Sequence, residues 1–508
     1  MSIPEVLAPA GNLAVLKAAV DFGADAVYCG GKAFGMRSGP KNFTLDDFAT
    51  ALDYAHARGA RVYATVNIVP NNEEIEAMNR YIAELAEVGI DALIISDIGV
   101  MLAARRIAPR TELHVSTQAG VMNYQTANAL YDLGASRVVL AREMTLAQIH
   151  ELRAKTPADL QIEAFVHGSM CMAFSGRCMI SKYLTGRDPN HGDCAQSCRW
   201  KYHVVEEKRP GELFGLEEDS RGTYLFNSQD MNLLEHVDQI LDAGVTSLKI
   251  EGRAKGAYYA AAMSNAYQYA LQAWKRQRTA EASGAAAGLS AGVASGLSAG
   301  ALAGAAEPAW SAAWSAEASG AVGNTAATRS VAGETVFLAD DTLGEPVPPR
   351  VELPEWVRAE PFKVTHREYS TGFYFPDAPV TESTQRGSYI SEWLWLGTVT
   401  GWEAGGESGG ESGGEFGRDG GKTSTEEPPE YADKGAGRVT LISRNKILPG
   451  DVVEVLAPHE PPFELEIPAT GIRNEAGEPV TEINHPAHAF SLPSNRPIPV
   501  GAMLRRRA

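Results

Sequence analysis

The chain is 508 residues long, which calls for two or more domains and at least one large core. Hydrophobic residues make up 44% and charged residues 21%, the ordinary balance of a globular protein. The formal net charge of −18 excludes a nucleic-acid footprint spread over the whole surface, because phosphate binding needs concentrated Lys and Arg, but it leaves room for a local basic patch.

The first residues run directly into Ile-Pro-Glu-Val-Leu-Ala-Pro-Ala-Gly11, with neither a basic n-region nor an apolar h-region, so no secretory signal is expected. From residue 5 to about 255, short β-rich runs alternate with amphipathic helical patterns. The runs are Val6–Pro9, Ala26–Cys29, Arg61–Asn67, Ala92–Ser96, Glu112–Gln118, Arg137–Arg142, Ile162–Gly168 and Ser247–Glu251. Helical patterns between them include Leu13–Phe22, Leu45–Arg58, Ile75–Val88 and Thr145–Ala154. Related phrases precede four of the runs, with Gly23, Gly89, Gly134 and Gly244 each placed where a helix would end in a left-handed cap. Eight strand–helix units over about 250 residues predict an α/β fold, a (β/α)8 TIM-like barrel; the count disfavours the rival, a doubly wound open sheet. One excursion breaks the rhythm: Ser169–Leu225, after the seventh run, carries four of the five cysteines.

A helical stretch over 256–275 completes the barrel domain, residues 1–278. Residues 279–334 are Ala/Gly/Ser-rich, with Gly-Leu-Ser-Ala-Gly at 288–292 and again at 296–300, and read as a low-complexity linker. The run Ala282–Ala306 holds too much Gly and too few large apolar side chains to span a membrane. Residues 335–508 read as a small C-terminal β-barrel domain, with strand candidates Phe362–Phe375, Tyr389–Trp402, Gly437–Asn445, Asp451–Leu456 and Phe463–Ile467. A Gly/Glu insert at 403–436, carrying nine acidic residues against three basic ones, reads as a solvated loop. The closing Arg505-Arg506-Arg507 reads as a solvated basic tail.

A cytoplasmic protein is expected, and in a reducing compartment clustered cysteines point to a metal or redox centre. Cys171, Cys178, Cys194 and Cys198 are spaced Cys-x6-Cys-x15-Cys-x3-Cys. Four thiolates at such spacings can enclose one metal centre. Zinc sites favour tight Cys-x2–4-Cys pairs, met here only by Cys194 and Cys198; wider spacing suits an iron–sulfur cluster. On spacing alone both stay open. Cys29, ending the second run, reads as a small buried hydrophobe.

The phrase Glu163-x-Phe165-x-x-Gly168-Ser169-x-Cys171-x4-Gly176-x-Cys178-x-Ile180-Ser181 resembles the defining pattern of the U32 family of collagenase-like peptidases. Leu7-Ala-Pro-Ala-Gly-Asn12, Ala24-Asp-Ala-Val-Tyr-Cys-Gly30, His114-x-Ser116-x-Gln118, Asn227-Ser-Gln-Asp230 and Lys249-Ile-Glu-Gly-Arg253 extend the resemblance over roughly residues 4–275. The resemblance implies oxygen-independent hydroxylation of the wobble uridine of tRNA, of a cytidine in 23S rRNA, or of a ubiquinone precursor. It implies a [4Fe–4S] cluster on Cys171, Cys178, Cys194 and Cys198, and prephenate as co-substrate of the RNA-modifying members. The length is most similar to the tRNA uridine hydroxylase branch, with tRNA as partner. A U32-type peptidase and a non-catalytic scaffold are the alternatives. A His-Glu-x-x-His zinc pattern is absent, and no nucleophile elbow is expected.

Side chains two apart in a strand share a face. Tyr63, Thr65 and Asn67 therefore fall together, as do His114, Ser116 and Gln118; Glu163, Phe165 and His167; and Lys249, Glu251 and Arg253. Pointed inward, these faces would line a polar cavity at the C-terminal strand ends, where barrel enzymes do chemistry. His167, Glu163, Arg253 and Glu251 are the candidate catalytic residues. Arg142, Lys249, Gln118 and Asn67 are the candidate substrate-binding residues, the cations suiting a small dicarboxylate. The bland alternative is a satisfied structural network, particularly a Lys249/Glu251 ion-pair layer. Lys32, Arg37, Lys41 and Asn42, in the loop after the second run, are candidate tRNA phosphate contacts.

Overall fold

The computed structural model describes residues 4–36, 42–171, 174, 177–200, 218–219, 222–223, 229–293, 351–376, 389–404 and 437–508. Two units divide the chain: Met1–Leu271 with Leu353–Ala508, and Gln272–Glu352.

The first unit opens with a closed parallel barrel. Its strands are β1 (Glu5–Ala10), β2 (Ala26–Gly30), β3 (Arg61–Val66), β4 (Ala92–Ile95), β5 (Glu112–Val115), β6 (Arg137–Val139), β7 (Gln161–Ser169) and, after the two-residue strands β8 (Glu218–Asp219) and β9 (Gly222–Thr223) and the strand β10 (Asp230–Asn232), the eighth barrel strand β11 (Ser247–Ile250). β11 pairs with both β1 and β7, which closes the ring. Each strand is nearly buried along its length, as expected where helices cover the outer face and side chains fill the inner one.

Helices α1 (Leu13–Asp21), α2 (Leu45–His56), α3 (Ile75–Val88), α4 (Ile98–Ile107), α5 (Tyr124–Asp132) and α6 (Leu146–Ala154) alternate with the strands. Local chemistry starts them. Asn12, Asp97 and Asn123 accept from the backbone N–H three residues on, while Thr44 with Asp47 and Thr145 with Gln148 form capping boxes. The four glycines of the repeated phrases, Gly23, Gly89, Gly134 and Gly244, all have φ between 89° and 107°. α4 and α5 were not among the sequence-predicted helices.

β7 outlasts the barrel. Its last residues pair antiparallel with β10, Ser169 opposite Asp230 and His167 opposite Asn232. β10 in turn pairs with β12 (Tyr369–Ser370). Asp230 and Arg367, both nearly buried, join these segments through a 2.9 Å ion pair. The cysteine-bearing excursion leaves from the end of β7 and contributes α7 (Ile180–Thr185). After it come α8 (Val237–Asp242) and α9 (Ala257–Val293). In the second unit, α9 runs on to Val293, so the first part of the expected linker is helical; the rest, 294–334, lies outside the described residues.

The expected strand Phe362–Phe375 is replaced by helix α10 (Glu355–Lys363) and the two-residue β12. Pro354 stands at the start of α10, and Glu360, fully buried, pairs with Arg505. Burial of that pair overrides the strand-like composition. Beyond it lies a seven-stranded antiparallel sheet of β13 (Trp393–Ala404), β14 (Gly437–Ser443), β15 (Val452–Leu456), β16 (Phe463–Glu466), β17 (Arg473–Asn474), β18 (Ala489–Ser494) and β19 (Met503–Arg507). Leu396, Val399, Val439, Leu441, Val453, Val455, Leu492 and Leu504 build its core. Residues 405–436 of the Gly/Glu insert lie outside the described residues.

The basic end is no tail. Arg505 to Arg507 are the last residues of β19, which pairs between β13 and β15. Arg505 is completely buried; its Nη1 donates to Glu360 at 2.7 Å, its Nε to Glu454 at 2.7 Å, and Nη1 also reaches the Tyr258 hydroxyl of α9 at 3.2 Å. The guanidinium therefore ties the C-terminal sheet to α10 and α9.

Candidate functional site

The barrel interior is layered by polarity. Near the N-terminal ends of the strands Arg137 is 2% exposed and donates to Glu5, to Glu163 at 3.0 Å and to Ser247 at 3.2 Å. Lys249 Nζ lies 2.5 Å from Glu163 Oε1. Burial alone would raise the Glu163 carboxyl, but the Lys249 and Arg137 cations outweigh it and hold the group below the ordinary carboxylate value. The ion-pair layer is therefore Lys249 with Glu163, not Lys249 with Glu251. Tyr63 Oη donates to Glu5 at 3.0 Å, and His114 packs edge-on against the Tyr63 ring. Burial pushes His114 down to about 4, so it is neutral near pH 7.

Above this layer, at the C-terminal strand ends, is a cavity of about 150 Å³. Tyr28, Met36, Ile94 and Phe165 supply apolar and aromatic lining, together with Lys249. Thr65, Asn67, Ser116, Thr117, Gln118, Arg142, Glu251 and Arg253 supply polar lining. Cys171, Cys178, Cys194 and Cys198 line it from the loop that follows β7. Four cysteines scattered over 28 residues of sequence are thus brought to one wall, opposite residues drawn from most of the barrel strands.

Glu163 and His167 are not in that lining. Glu163 is sealed beneath it, with no exposure and both oxygens committed to cations. His167 breaks the expected alternation. The register of β7 against β11 runs Phe165 to Lys249 and then His167 to Ile250, so Val166 is an extra residue, a bulge that turns the following side chain. His167 packs instead among Tyr259, Tyr267 and Tyr369, with Tyr267 Oη 3.3 Å from Nδ1. Burial lowers it to about 3. It is a neutral ring that is not among the residues lining the cavity.

The remaining candidates are tightly positioned. Arg253 Nη1 donates to Thr65 Oγ1 at 2.9 Å, and passes so close to Gly30 that a Cβ there would collide with it. Gly168 has φ +99°, and its missing side chain makes room for the Glu251 carbonyl. Arg142 lies over the Phe165 ring, donates to the Ser169 carbonyl at 2.9 Å, and brings Nη2 to 3.8 Å from Cys171 Sγ. Gln118 reaches the cavity by a route the strand pattern did not contain: β5 stops at Val115, and a 3-10 turn over Thr117–Ala119, ending at left-handed Gly120, swings the amide inward. Its Oε1 accepts from Asn67 Nδ2 at 2.9 Å and from Ser116 Oγ at 3.0 Å.

The cysteine loop has its own bracing. Asn190 accepts from the Cys178 N–H at 3.3 Å and donates to its carbonyl at 3.0 Å, and the Gln196 N–H lies 3.4 Å from Cys194 Sγ. None of the four thiols is in a disulfide, and all are partly exposed. Among the described residues, no three His, Cys, Asp or Glu side chains converge on a single ion position. The four thiols line one cavity, with a guanidinium and an N–H directed at two of them. Four thiolates are a donor set that fits a sulfur-ligated cluster.

Cys29, on β2, is fully buried, its thiol pushed up by burial. Asn42 is committed to the Gly31 carbonyl at 3.0 Å, while Arg37 and Lys41 lie outside the described residues. The first Gly-Leu-Ser-Ala-Gly phrase spells a nucleophile elbow by its letters, but it sits inside α9 with no strand before it. The second lies outside the described residues. Met36, Asp230 and Arg367 were missed as site-building residues. The only signal available was the Asn227-Ser-Gln-Asp230 phrase.

Residues 11–309 match the profile of Peptidase family U32, and residues 430–505 that of the Peptidase family U32 C-terminal domain. Over 275 residues the chain is 46% identical to the tRNA hydroxylation protein P of Helicobacter pylori, an alignment covering 53% of this chain and 65% of that one. It is 37% identical over 307 residues to the tRNA hydroxylation protein P of Escherichia coli, covering 53% and 68%. The 23S rRNA 5-hydroxycytidine C2501 synthase of Escherichia coli is 38% identical over 274 residues, covering 54% of this chain and 40% of that one. The chain therefore spans less than two-thirds of the length of the Helicobacter relative.

Proposed function

Because this chain belongs to peptidase family U32, whose profile covers more than half of it, we propose that it is an RNA hydroxylase acting at C5 of the wobble uridine of tRNA in the cytoplasm without O2. The observation that carries this reading is the single cavity shared by four cysteines and a set of fixed cations and amides at the C-terminal strand ends. The hydroxylation named in several relatives supports it.

Cys171, Cys178, Cys194 and Cys198 would hold a [4Fe–4S] cluster, which supplies one-electron chemistry when bound. The chain's own residues do the rest. Arg253, oriented by Thr65, offers its guanidinium to a carboxylate of the co-substrate, for which prephenate is the candidate. Lys249 is neutralised by Glu163, so it fixes the floor of the cavity and leaves the carboxylate to Arg253. Arg142 directs its charge at the thiol wall. Glu251 is a carboxylate in the lining and is the candidate acid–base group of the site.

The cysteine loop suits an RNA loop. Phe174, Met179, Tyr183 and Trp200 are exposed, Tyr183 at 89%, and such faces stack on unpaired bases. From Cys171 to Trp200, four basic residues outnumber two acidic ones in a chain of net charge −18. Peptide hydrolysis finds less support, since His167 is enclosed by tyrosines away from the cavity and offers no base to a cysteine.

Mass spectrometry of tRNA nucleosides from a deletion strain tests the assignment. Hydroxyuridine should vanish in the deletion, return with the wild-type chain, and stay absent with Cys171→Ala. Unchanged hydroxyuridine in the deletion strain, with no second copy of the gene, rules the reading out.

A further inference from the structure

One buried donor in the cavity has no partner among the described residues. Gln118 is 4% exposed, and its Nε2 makes no hydrogen bond to any of them. A buried amide N–H left unpaired costs free energy, so each one calls for an explanation, and at a cavity wall a bound ligand is one.

Which end of the amide faces the cavity is decided by a main-chain group. The Met36 N–H can only donate, and it donates to Asn67 Oδ1 at 3.0 Å. Asn67 must then turn Nδ2 toward Gln118, which answers with Oε1 at 2.9 Å. Ser116 Oγ donates to the same oxygen at 3.0 Å. Rotating the Gln118 amide by half a turn would set Nε2 against Asn67 Nδ2, two donors face to face. The relay from Met36 therefore leaves Nε2 as the end of this cavity-lining amide without a partner among the described residues.

We propose that Gln118 Nε2 recognises an acceptor oxygen of the substrate, an sp² oxygen such as the 4-carbonyl of a uracil base or a carboxylate oxygen of a small acid. This rests on the reading of the cavity as the hydroxylation site. The polarity matters because uracil and cytosine differ at that position: uracil presents a carbonyl acceptor and cytosine an amino donor. A fixed donor accepts the first and is left facing another donor by the second. In uracil, the carbon beside that carbonyl is C5, so the same contact also orients the reacting edge. A carboxylate would satisfy Nε2 equally well while bridging to Arg253, which lines the same cavity.

The test uses the full chain, purified anaerobically, and two probes: anticodon stem–loop RNAs differing only in U or C at the wobble position, and malonate as a plain dicarboxylate. Gln118→Glu keeps the bonds to Asn67 and Ser116 but turns an acceptor into the cavity. Asn67→Asp reaches the same end without touching Gln118, since Nε2 would turn to the new carboxylate and Oε1 would face outward. Gln118→Met removes the donor without adding charge. Melting temperature checks that each variant is folded, and the wild-type preference between the two RNAs needs no variant.

If the oxygen belongs to the base, the wild type favours the U loop by about 10-fold or more, and both charged variants lose or invert that preference. If it belongs to the acid, the wild type treats the loops alike, and malonate affinity falls about 10-fold or more in Gln118→Glu, Asn67→Asp and Gln118→Met. Binding of malonate through Gln118 with no binding of either RNA keeps this site and removes the RNA reading. A wild type without base preference, whose malonate affinity is untouched in every folded variant, overturns the proposal.

Discussion

Glu163 Oε1 stands 2.5 Å from Lys249 Nζ, both side chains being at most 5% exposed, directly below the cavity that Lys249 also lines. The carboxylate is shared with Arg137 at 3.0 Å. Removing its charge would leave two buried cations facing each other. Glu163→Gln is expected to destabilise the fold by about 3–5 kcal/mol, read as a lower urea midpoint at pH 7. A loss of activity with an unchanged midpoint would instead return Glu163 to the catalytic set.

Two of the buried histidines, His114 and His167, make the protein acid-sensitive. His114 falls to about 4 and His167 to about 3 in the folded chain, against an ordinary value of 6.5. Between 6.5 and those values the unfolded chain takes up protons that the folded chain refuses. Stability is therefore complete above pH 6.5 and is lost as pH falls through about 4 and about 3. Each histidine contributes a slope of up to about 1.4 kcal/mol per pH unit. Glu163, held low, adds its own loss further down, below the ordinary carboxylate value. Urea titrations at several pH values should show the decline, and His114→Gln should flatten it between 6.5 and about 4.

Gly30 separates fold from function. A methyl group there meets first the tip of Arg253, a flexible side chain, and next the ends of Thr65 and Asn42. Gly30→Ala should leave the melting temperature within about 2 °C of wild type while lifting the guanidinium off Thr65. Hydroxylation should fall by about 10-fold or more, through weaker co-substrate binding. Full activity in this variant would show that Arg253 is not the carboxylate partner.

The arginines of β19 should behave in opposite ways. Arg505→Met leaves Glu360, which has no exposure, with only the 3.7 Å contact to Lys363, and should destabilise by about 3–5 kcal/mol. Arg507, whose side chain is 75% exposed in its pair with Glu392, should tolerate Ala within about 0.5 kcal/mol. Paired denaturation curves decide between a structural strand and a solvated basic end.

The barrel was legible because its signals are local. Gly23, Gly89, Gly134 and Gly244 mark helix ends by themselves, and Thr44-x-x-Asp47 marks a helix start. Much of the cavity was legible too, since period-two alternation holds for Thr65, Phe165 and Lys249. It failed where the backbone departs from regularity. The Val166 bulge sent His167 out of the barrel, and the 3-10 turn brought Gln118 in on grounds other than the alternation that suggested it. Pairings between distant segments left no trace at all: Asp230 meets Arg367, and Glu360 meets Arg505, 137 and 145 residues apart. A run of three arginines looks the same in a disordered end as in a buried strand, because the acids that decide it lie elsewhere.

The Met36 N–H that anchors the Asn67–Gln118 relay belongs to the main chain, and this limits how the site can drift in evolution. Every residue except proline supplies the same donor, so side-chain changes at position 36 leave the amide polarity as it is. Only positions 67 and 118 can reverse it. A lineage that came to use the opposite substrate polarity would carry its record at those two positions, while position 36 could vary freely.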